Sequence, residues 1–288
     1  MEARSSNNNL YLKVKDFSVS GETFKLIENK DYGFLETVPQ PSKSKLPDYY
    51  KSEDYISHTD AKRNLFEKIY HLVRIYSLNK KLNLINSYNT SEKHLLDIGC
   101  GTGDFLSIAK KNKWTVTGIE PNSEARLIAN KKTNNAVFNT EHLEQLNPLS
   151  YDVITLWHVL EHLPDLEVHI NLFKKLLKPN GILIIAVPNY KSYDALHYKT
   201  YWAALDVPRH LWHFNKKSII KLTERFSLKV EKIKPMFFDA FYVSFLSEKY
   251  KTGKINFLKG FYIGLCSNIK YLFNKEASSL IYVIKKVK

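Results

Sequence analysis

The stretch His94-Leu95-Leu96-Asp97-Ile98-Gly99-Cys100-Gly101-Thr102-Gly103-Asp104-Phe105-Leu106 decides the fold. An apolar strand runs into Asp-x-Gly-x-Gly-x-Gly and then into a helical pattern. Glycines here permit a tight turn and let a ligand approach the backbone with no Cβ in the way. The helix start beyond them offers free N–H groups. A glycine pattern alone says little, but one set between a strand and a helix marks a binding loop. Its spacing differs from the Gly-x-Gly-x-x-Gly of dinucleotide sites. The acid before it, Asp97, would repel a pyrophosphate and attract a ligand that carries positive charge.

Outward from this loop, apolar runs recur at Val116–Ile119, Val153–Trp157 and Ile182–Val187. Helical patterns lie between them at Phe105–Lys111, Ser123–Lys132 and Leu166–Leu177. Such alternation predicts parallel strands joined by crossover helices. Ile219–Phe226 reads as a further helix, and Leu228–Ile233 and Ser279–Val287 as further strands. Before the loop, apolar residues from Ala61 to Asn86 fall at helical spacing and predict one long or two short helices. The second strand ends in Gly118-Ile119-Glu120-Pro121-Asn122, where an acid can accept both hydroxyls of a ribose. Two acids placed so, Asp97 and Glu120, suit S-adenosylmethionine better than a nicotinamide dinucleotide.

Composition sets the outer bounds. The chain has 288 residues, 44% of them hydrophobic and 13% aromatic, enough for a large core and too apolar for disorder. Two cysteines, Cys100 and Cys266, cannot form a disulfide framework or a four-thiolate zinc site. No long uncharged apolar run predicts a spanning helix, and no apolar leader follows Met1, so a cytoplasmic location is expected. Lys and Arg number 43 against 29 Asp and Glu, a formal charge of +14. Charge alone raises a nucleic-acid reading. No aromatic–basic RNA module or base-methylation motif accompanies it.

Tyr151-Asp152-Val153-Ile154-Thr155-Leu156-Trp157-His158-Val159-Leu160-Glu161-His162-Leu163-Pro164-Asp165 is the second informative stretch. Ligands of parallel sheets sit beyond the strands' carboxyl ends, so His158 to His162 should line the site. Histidine is a plausible base for a hydroxyl acceptor.

The four ordered segments Leu95–Leu106, Gly118–Asn122, Tyr151–Asp165 and Leu177–Asn189 resemble the motifs of class I S-adenosylmethionine-dependent methyltransferases. The resemblance covers residues 90–235. It implies an α/β, Rossmann-like, doubly wound sheet of seven strands with the last antiparallel, Ser279–Val287 being that last strand. It implies S-adenosylmethionine as cofactor, held by Asp97, Gly99, Cys100, Gly101, Thr102 and Gly103, with Glu120 and Pro121 at the ribose. Glu141 and His142 would stand at the adenine, and Trp157 and His158 at the end of the fourth strand. His-x-x-Glu-His at 158–162 is similar to Glu-x-x-Glu-His of ubiquinone-pathway O-methyltransferases, a segment linked there to magnesium. Here His158 replaces the first acid, and imidazole is a poor magnesium ligand, so no metal is expected. A zinc set of His158, His162, His210 and His213 is possible on ligand type but is not expected.

Asp206-Val207-Pro208-Arg209-His210-Leu211-Trp212-His213-Phe214 resembles a Pro-x-His-x-x-x-Phe element that lies beside the acceptor in a branch of these enzymes. The implied acceptor residues are Tyr198, Asp206, Arg209, His210 and His213, with Tyr55 from the amino-terminal segment. His158, His162 and His210 are the candidate catalytic groups. Phe24–Pro41 is similar to a zinc-knuckle segment of that branch, with Asn29 and Tyr32 at cysteine positions. Residues 1–60 are expected as this extension and 61–288 as the methyltransferase domain, with insertions at 190–214 and 239–276. In 255–273 the apolar positions 258, 261, 262, 265, 269, 272 and 273 share one helical face, flanked by lysines. That face suits either a lid packed on the domain or peripheral contact with a membrane. The expected function is methyl transfer to oxygen or carbon of a small-molecule or lipid- or sugar-linked acceptor. The alternatives are a nucleic-acid-modifying protein and a non-catalytic binder of the cofactor.

Overall fold

The computed structural model describes residues 9–42, 44–50, 65–88, 90 and 92–287, and of residues 65–70 the backbone alone. Numbered in chain order, the strands are β1 (Leu10–Lys15), β2 (Thr23–Glu28), β3 (Leu35–Val38), β4 (His94–Ile98), β5 (Thr115–Ile119), β6 (Val137–Phe138), β7 (Tyr151–Trp157), β8 (Leu177–Pro188), β9 (Trp212–His213), β10 (Leu228–Pro235) and β11 (Ser279–Lys286). The helices are α1 (Leu65–Asn86), α2 (Asp104–Lys111), α3 (Ser123–Thr133), α4 (Leu166–Leu176), α5 (Tyr193–Tyr198), α6 (Lys216–Glu224), α7 (Phe237–Thr252) and α8 (Phe257–Asn274).

Seven strands form one sheet in the order β10-β11-β8-β7-β4-β5-β6. The pairs β4–β5, β4–β7, β5–β6 and β7–β8 are parallel, and β11 runs antiparallel to both β8 and β10. Both faces of the sheet are covered, which explains the unbroken apolar runs. Ile182 to Val187, for example, are all buried. The strand order reverses at β4, with β5 on one side and β7 on the other. A cleft opens at such a point beyond the carboxyl ends, and the glycine loop leaves β4 there. The expected fold is the observed one. The edge strand β6 has two residues and no readable pattern. The helical pattern before the loop is a single helix, α1.

A second, antiparallel sheet has the order β1-β2-β3-β9. Its fourth strand comes from the 190–214 insertion, pairing Leu35 with His213 and Glu36 with Trp212. The amino-terminal extension and that insertion therefore share one sheet and one core, in which Phe24, Leu26, Leu35, Tyr190, Tyr198 and Trp202 are packed. At the β2–β3 turn Asn29 Oδ1 accepts from the Asp31 and Tyr32 amides, so a side-chain oxygen organises the turn.

The carboxyl-terminal insertion is a hairpin of α7 and α8. A lid packed through the predicted apolar face is not what forms. Leu258, Phe261, Tyr262, Leu265, Ile269, Leu272 and Phe273 are exposed, Leu258 at 87% and Phe273 at 82%. The helix docks by its opposite, small-residue side, with Gly260, Ile263, Gly264 and Ser267 buried. The cause is close approach: a Cβ on Gly260 would lie 2.6 Å from Phe245 Cδ1, and one on Gly264 would lie 3.0 Å from the Ala240 carbonyl oxygen. Apolar size along the sequence did not mark the packed side; two glycines four residues apart did.

Candidate functional site

The glycine loop turns on residues of positive φ. Gly99 has φ 65° and Gly101 φ 55°. A Cβ on Gly99 would sit 2.5 Å from Val159 Cγ2, so glycine there lets the loop close on the segment after β7. A Cβ on Gly101 would meet nothing within 4 Å. That glycine serves its backbone angle and leaves bare backbone facing the cleft. Glu120 braces the loop from the end of β5: Oε2 accepts from the Gly101 amide at 2.8 Å and Oε1 from the Asn122 amide at 2.9 Å. Each oxygen keeps a further lone pair for a ligand hydroxyl. Pro121 follows, its carbonyl accepting from Arg126.

Asp97 lies at the floor. It is buried and accepts from the Thr155 hydroxyl at 2.6 Å. Burial, reinforced by Glu120, pushes its pKa up to about 7 against the pull of Thr155 and Lys81. A carboxylate held so is completed by a cation. Above it is a cavity of about 260 Å³ lined by Asp97, Gly99, Cys100, Gly101 and Thr102, by Phe105 and Trp157, and by Arg74, Ser77 and Lys81 of α1. Phe105 and Trp157 meet edge to face at 5.7 Å. Lys81 Nζ stands 4.5 Å over the Trp157 ring, and burial lowers its pKa. Arg74 binds Asp104, which Lys132 also holds at 2.8 Å, and so ties α1 across the loop. No local pattern marks these α1 residues: a helix separated from the loop by a turn carries no local signal for what it covers.

At the end of β7, His158 has φ 58°. Its Nδ1 faces Glu161 Oε1 at 3.4 Å and its Nε2 faces Asp239 Oδ2 at 3.0 Å. Both ring nitrogens point at carboxylates, so both donate and the ring is an imidazolium. Burial opposes that charge, but the bonds to Asp239 and Glu161 outweigh it and raise the pKa to about 10. His158 is therefore a fixed positive charge, not the base expected from the sequence. Asp239, in the first turn of α7, was missed because its partner lies in a distant segment.

Glu161, His162 and His210 come together beside it. Glu161 is fully buried. His162 and His210 meet edge to face at 4.6 Å. Burial, then His210, lowers the His162 pKa to about 4.

Other expected residues have different surroundings. Glu141 accepts from its neighbour Asn139 at 3.1 Å. His142 stacks on Phe138 and lines a separate cavity of about 430 Å³ with His94, Thr115 and Tyr151, not the cleft above Asp97. Tyr198 is packed in the core of the second sheet, where burial and Glu248 raise its pKa. Arg209 is buried and saturated: it donates to Asp206 at 2.7 Å, to Asp16 at 3.0 Å, to the Tyr49 carbonyl at 2.8 Å and to the Ser18 hydroxyl. With its donors committed, Arg209 pins the β1–β2 turn to the insertion, and Asp206 is its counter-ion rather than an acceptor contact. His213 Nε2 meets Thr37 Oγ1 at 3.0 Å, and that hydroxyl donates to the His210 carbonyl at 2.6 Å. His213 thus supports the His210 segment from behind. Tyr55 lies outside the described residues.

Fold and glycine loop together define the class I methyltransferase architecture. The chain belongs to the methyltransferase-domain family, which matches residues 69–233, more than half its length. An O-methyltransferase of ubiquinone biosynthesis from Vibrio atlanticus is 36% identical over 111 residues, 35% of this chain and 46% of that protein. Its counterpart from Hydrogenovibrio crunogenus is 31% identical over 123 residues, 39% of this chain and 51% of that protein. The chain spans about half the length of these curated relatives. Among solved structures, magnesium protoporphyrin IX methyltransferase from Synechocystis superposes with TM-score 0.56 at 15% identity, covering 85% of this chain and 100% of that one. A SAM-dependent methyltransferase from Archaeoglobus fulgidus gives TM-score 0.52 at 19% identity, covering 77% and 100%. At such identities the likeness shows the fold.

Proposed function

We propose that the chain transfers a methyl group from S-adenosylmethionine to oxygen or carbon of a small amphipathic acceptor, free or linked to a lipid or sugar, in the cytoplasm. The observation that carries this is Asp97, a buried carboxylate under a bare glycine backbone at the switch point of the sheet. S-adenosylmethionine supplies an already activated methyl group on a sulfonium, needing no redox partner. Asp97 neutralises a ligand cation, and Glu120 offers its remaining lone pairs to ribose hydroxyls. Phe105 and Trp157 form an apolar wall that keeps water from the reacting face. Orientation by these groups accounts for most of the rate such a displacement needs. His158 serves the acceptor as a fixed positive charge beside a developing negative oxygen, and His162 and His210 stand at the same side. Calorimetry with S-adenosylmethionine, NADH and a short RNA tests the class: binding to the first alone is expected, and no binding to it overturns the proposal.

We also propose that the α7–α8 hairpin rests on an anionic lipid surface, which suits a lipid-linked acceptor. Its outward face is apolar and is flanked by exposed Lys254, Lys270 and Lys275. No helix among the described residues is long and apolar enough to cross a membrane. Flotation with phosphatidylglycerol vesicles at low salt should carry the protein upward; protein remaining at the bottom would remove this reading.

A further inference from the structure

The resemblance at 158–162 implies magnesium, and the donors do not fit it. His158, in the place of the first acid, has both nitrogens committed to Asp239 and Glu161. What the fold assembles instead is Glu161, His162 and His210, one donor atom of each within 4.8 Å of the other two. Two of these come from the turn after β7 and the third from the 190–214 insertion.

The tautomers follow from hydrogen bonding. His162 Nδ1 lies 3.0 Å from the Arg209 carbonyl oxygen, and His210 Nδ1 lies 2.9 Å from that of Ala204. A carbonyl only accepts, so each Nδ1 carries the proton and each Nε2 keeps a lone pair. Backbone carbonyls behind ligating imidazoles are the usual outer shell of a metal site, because they fix both ring and tautomer. Glu161 is fully buried, and beyond His158 neither of its oxygens has a hydrogen-bond partner among the described residues. Its charged neighbour is His158, at 3.4 Å. Three electron-pair donors thus converge, none carrying a proton toward the others, with His158 beside them facing Glu161 alone. The imidazole lone pairs and the second carboxylate oxygen suit a further cation.

We propose that Glu161, His162 and His210 form a three-ligand site for a nitrogen-preferring divalent transition cation, with zinc as its probe, and not for magnesium. Two imidazoles and one carboxylate match zinc's donor preference and mismatch the all-oxygen preference of magnesium. Three protein ligands leave a position open, as reactive rather than structural zinc sites do. On the methyl-transfer reading, that position faces an oxygen of the acceptor.

The test uses the tag-free full chain after chelation. Titration with Zn²⁺ should give one equivalent bound at least tenfold tighter than Mg²⁺, and His210→Gln should weaken zinc at least tenfold while His169→Gln leaves it unchanged. Cobalt(II) added to the unmutated chain should give the intense visible bands of a four-coordinate nitrogen–oxygen site, which keeps the test sound if His210→Gln does not fold. Preference for Mg²⁺, absence of one-equivalent zinc binding, zinc binding unchanged in His210→Gln, or a cobalt–thiolate band from Cys100 or Cys266 would each overturn the proposal. S-adenosylmethionine binding, measured separately on the metal-free chain, distinguishes failure here from failure of the methyl-transfer reading.

Discussion

The cofactor half and the acceptor half of this molecule are built by contacts of different range. At the glycine loop, Glu120 reaches 19 residues back to Gly101 and two forward to Asn122. At the insertion, Arg209 reaches Asp16 across 193 residues, and Thr37 reaches His210 across 173. A site made by a strand, a turn and the next helix carries its geometry in adjacent residues. One made by long-range pairing shows residue types whose partners are invisible until the chain folds. The largest predicted effect follows. Arg209→Met should unfold the second sheet's junction, because it leaves Asp16 and Asp206 without their counter-charge. Removing one partner of such a buried network costs about 3–5 kcal/mol. Urea unfolding measures it, and a loss under about 1 kcal/mol would mean that Arg209 is free for the acceptor after all.

Within the cofactor half, two glycines separate packing from binding. Gly99→Ala places a methyl group into Val159 in a left-handed backbone, and should cost about 2–4 kcal/mol in unfolding free energy from strain and overpacking together. Gly101→Ala has open space around it and should cost only about 1–2 kcal/mol, the left-handed term alone. Its main effect should fall on S-adenosylmethionine affinity, because the new methyl group covers the backbone that faces the ligand. Equal stability losses in the two variants would erase this distinction.

How much the sequence disclosed tracks the same division. Strands β4, β5, β7 and β8, the loop, Asp97 and Glu120 were all readable, because period, glycine and acid fall within one strand–turn–helix unit. The two-residue β6 and the sharing of β9 by the amino-terminal sheet had no local signature. His158 shows the limit clearly. The residue type suggested a base, and only Asp239, 81 positions later in the sequence, turns the ring into a fixed cation. Arg209, His213 and Tyr198 are the same kind of case: polar and aromatic residues near a predicted pocket, committed by the fold to distant segments at Asp16, Thr37 and Glu248. In α8 the bulky face suited a packed lid or a membrane contact equally on periodicity, and backbone proximity at Gly260 and Gly264 decides against the packed lid.

Asp97 allows the cofactor half to be tested by pH. Its pKa is raised to about 7 by burial, so the fold favours its protonated form. The stability this lends is complete below the unfolded carboxyl range and is lost as pH rises through about 7. A bound cation has the opposite preference and requires the carboxylate. Affinity for S-adenosylmethionine should therefore hold above pH 7 and fall below it, by up to about tenfold per pH unit, equivalent to about 1.4 kcal/mol. Asp97→Asn should bind weakly and without that slope. A flat profile in the unmutated chain would show that Asp97 does not meet the ligand's charge.

The smallest effect belongs to the hairpin. Lys254 and Lys270 are exposed beside the apolar face and carry none of the domain's packing. Each should add about 1 kcal/mol to attraction by an anionic surface. Lys254→Ser with Lys270→Ser should lower vesicle partitioning by roughly tenfold or more, and raised salt should mimic this through screening. Leu258→Ser removes an apolar side chain that is 87% exposed, and should weaken partitioning in a way that salt does not imitate. Cofactor affinity should be unchanged in both variants, because the hairpin reaches the site through Asp239 on His158 and not through its outward face. Partitioning sensitive to the lysines but not to Leu258 would reduce the contact to simple charge attraction, and the exposed apolar row would then have no lipid role.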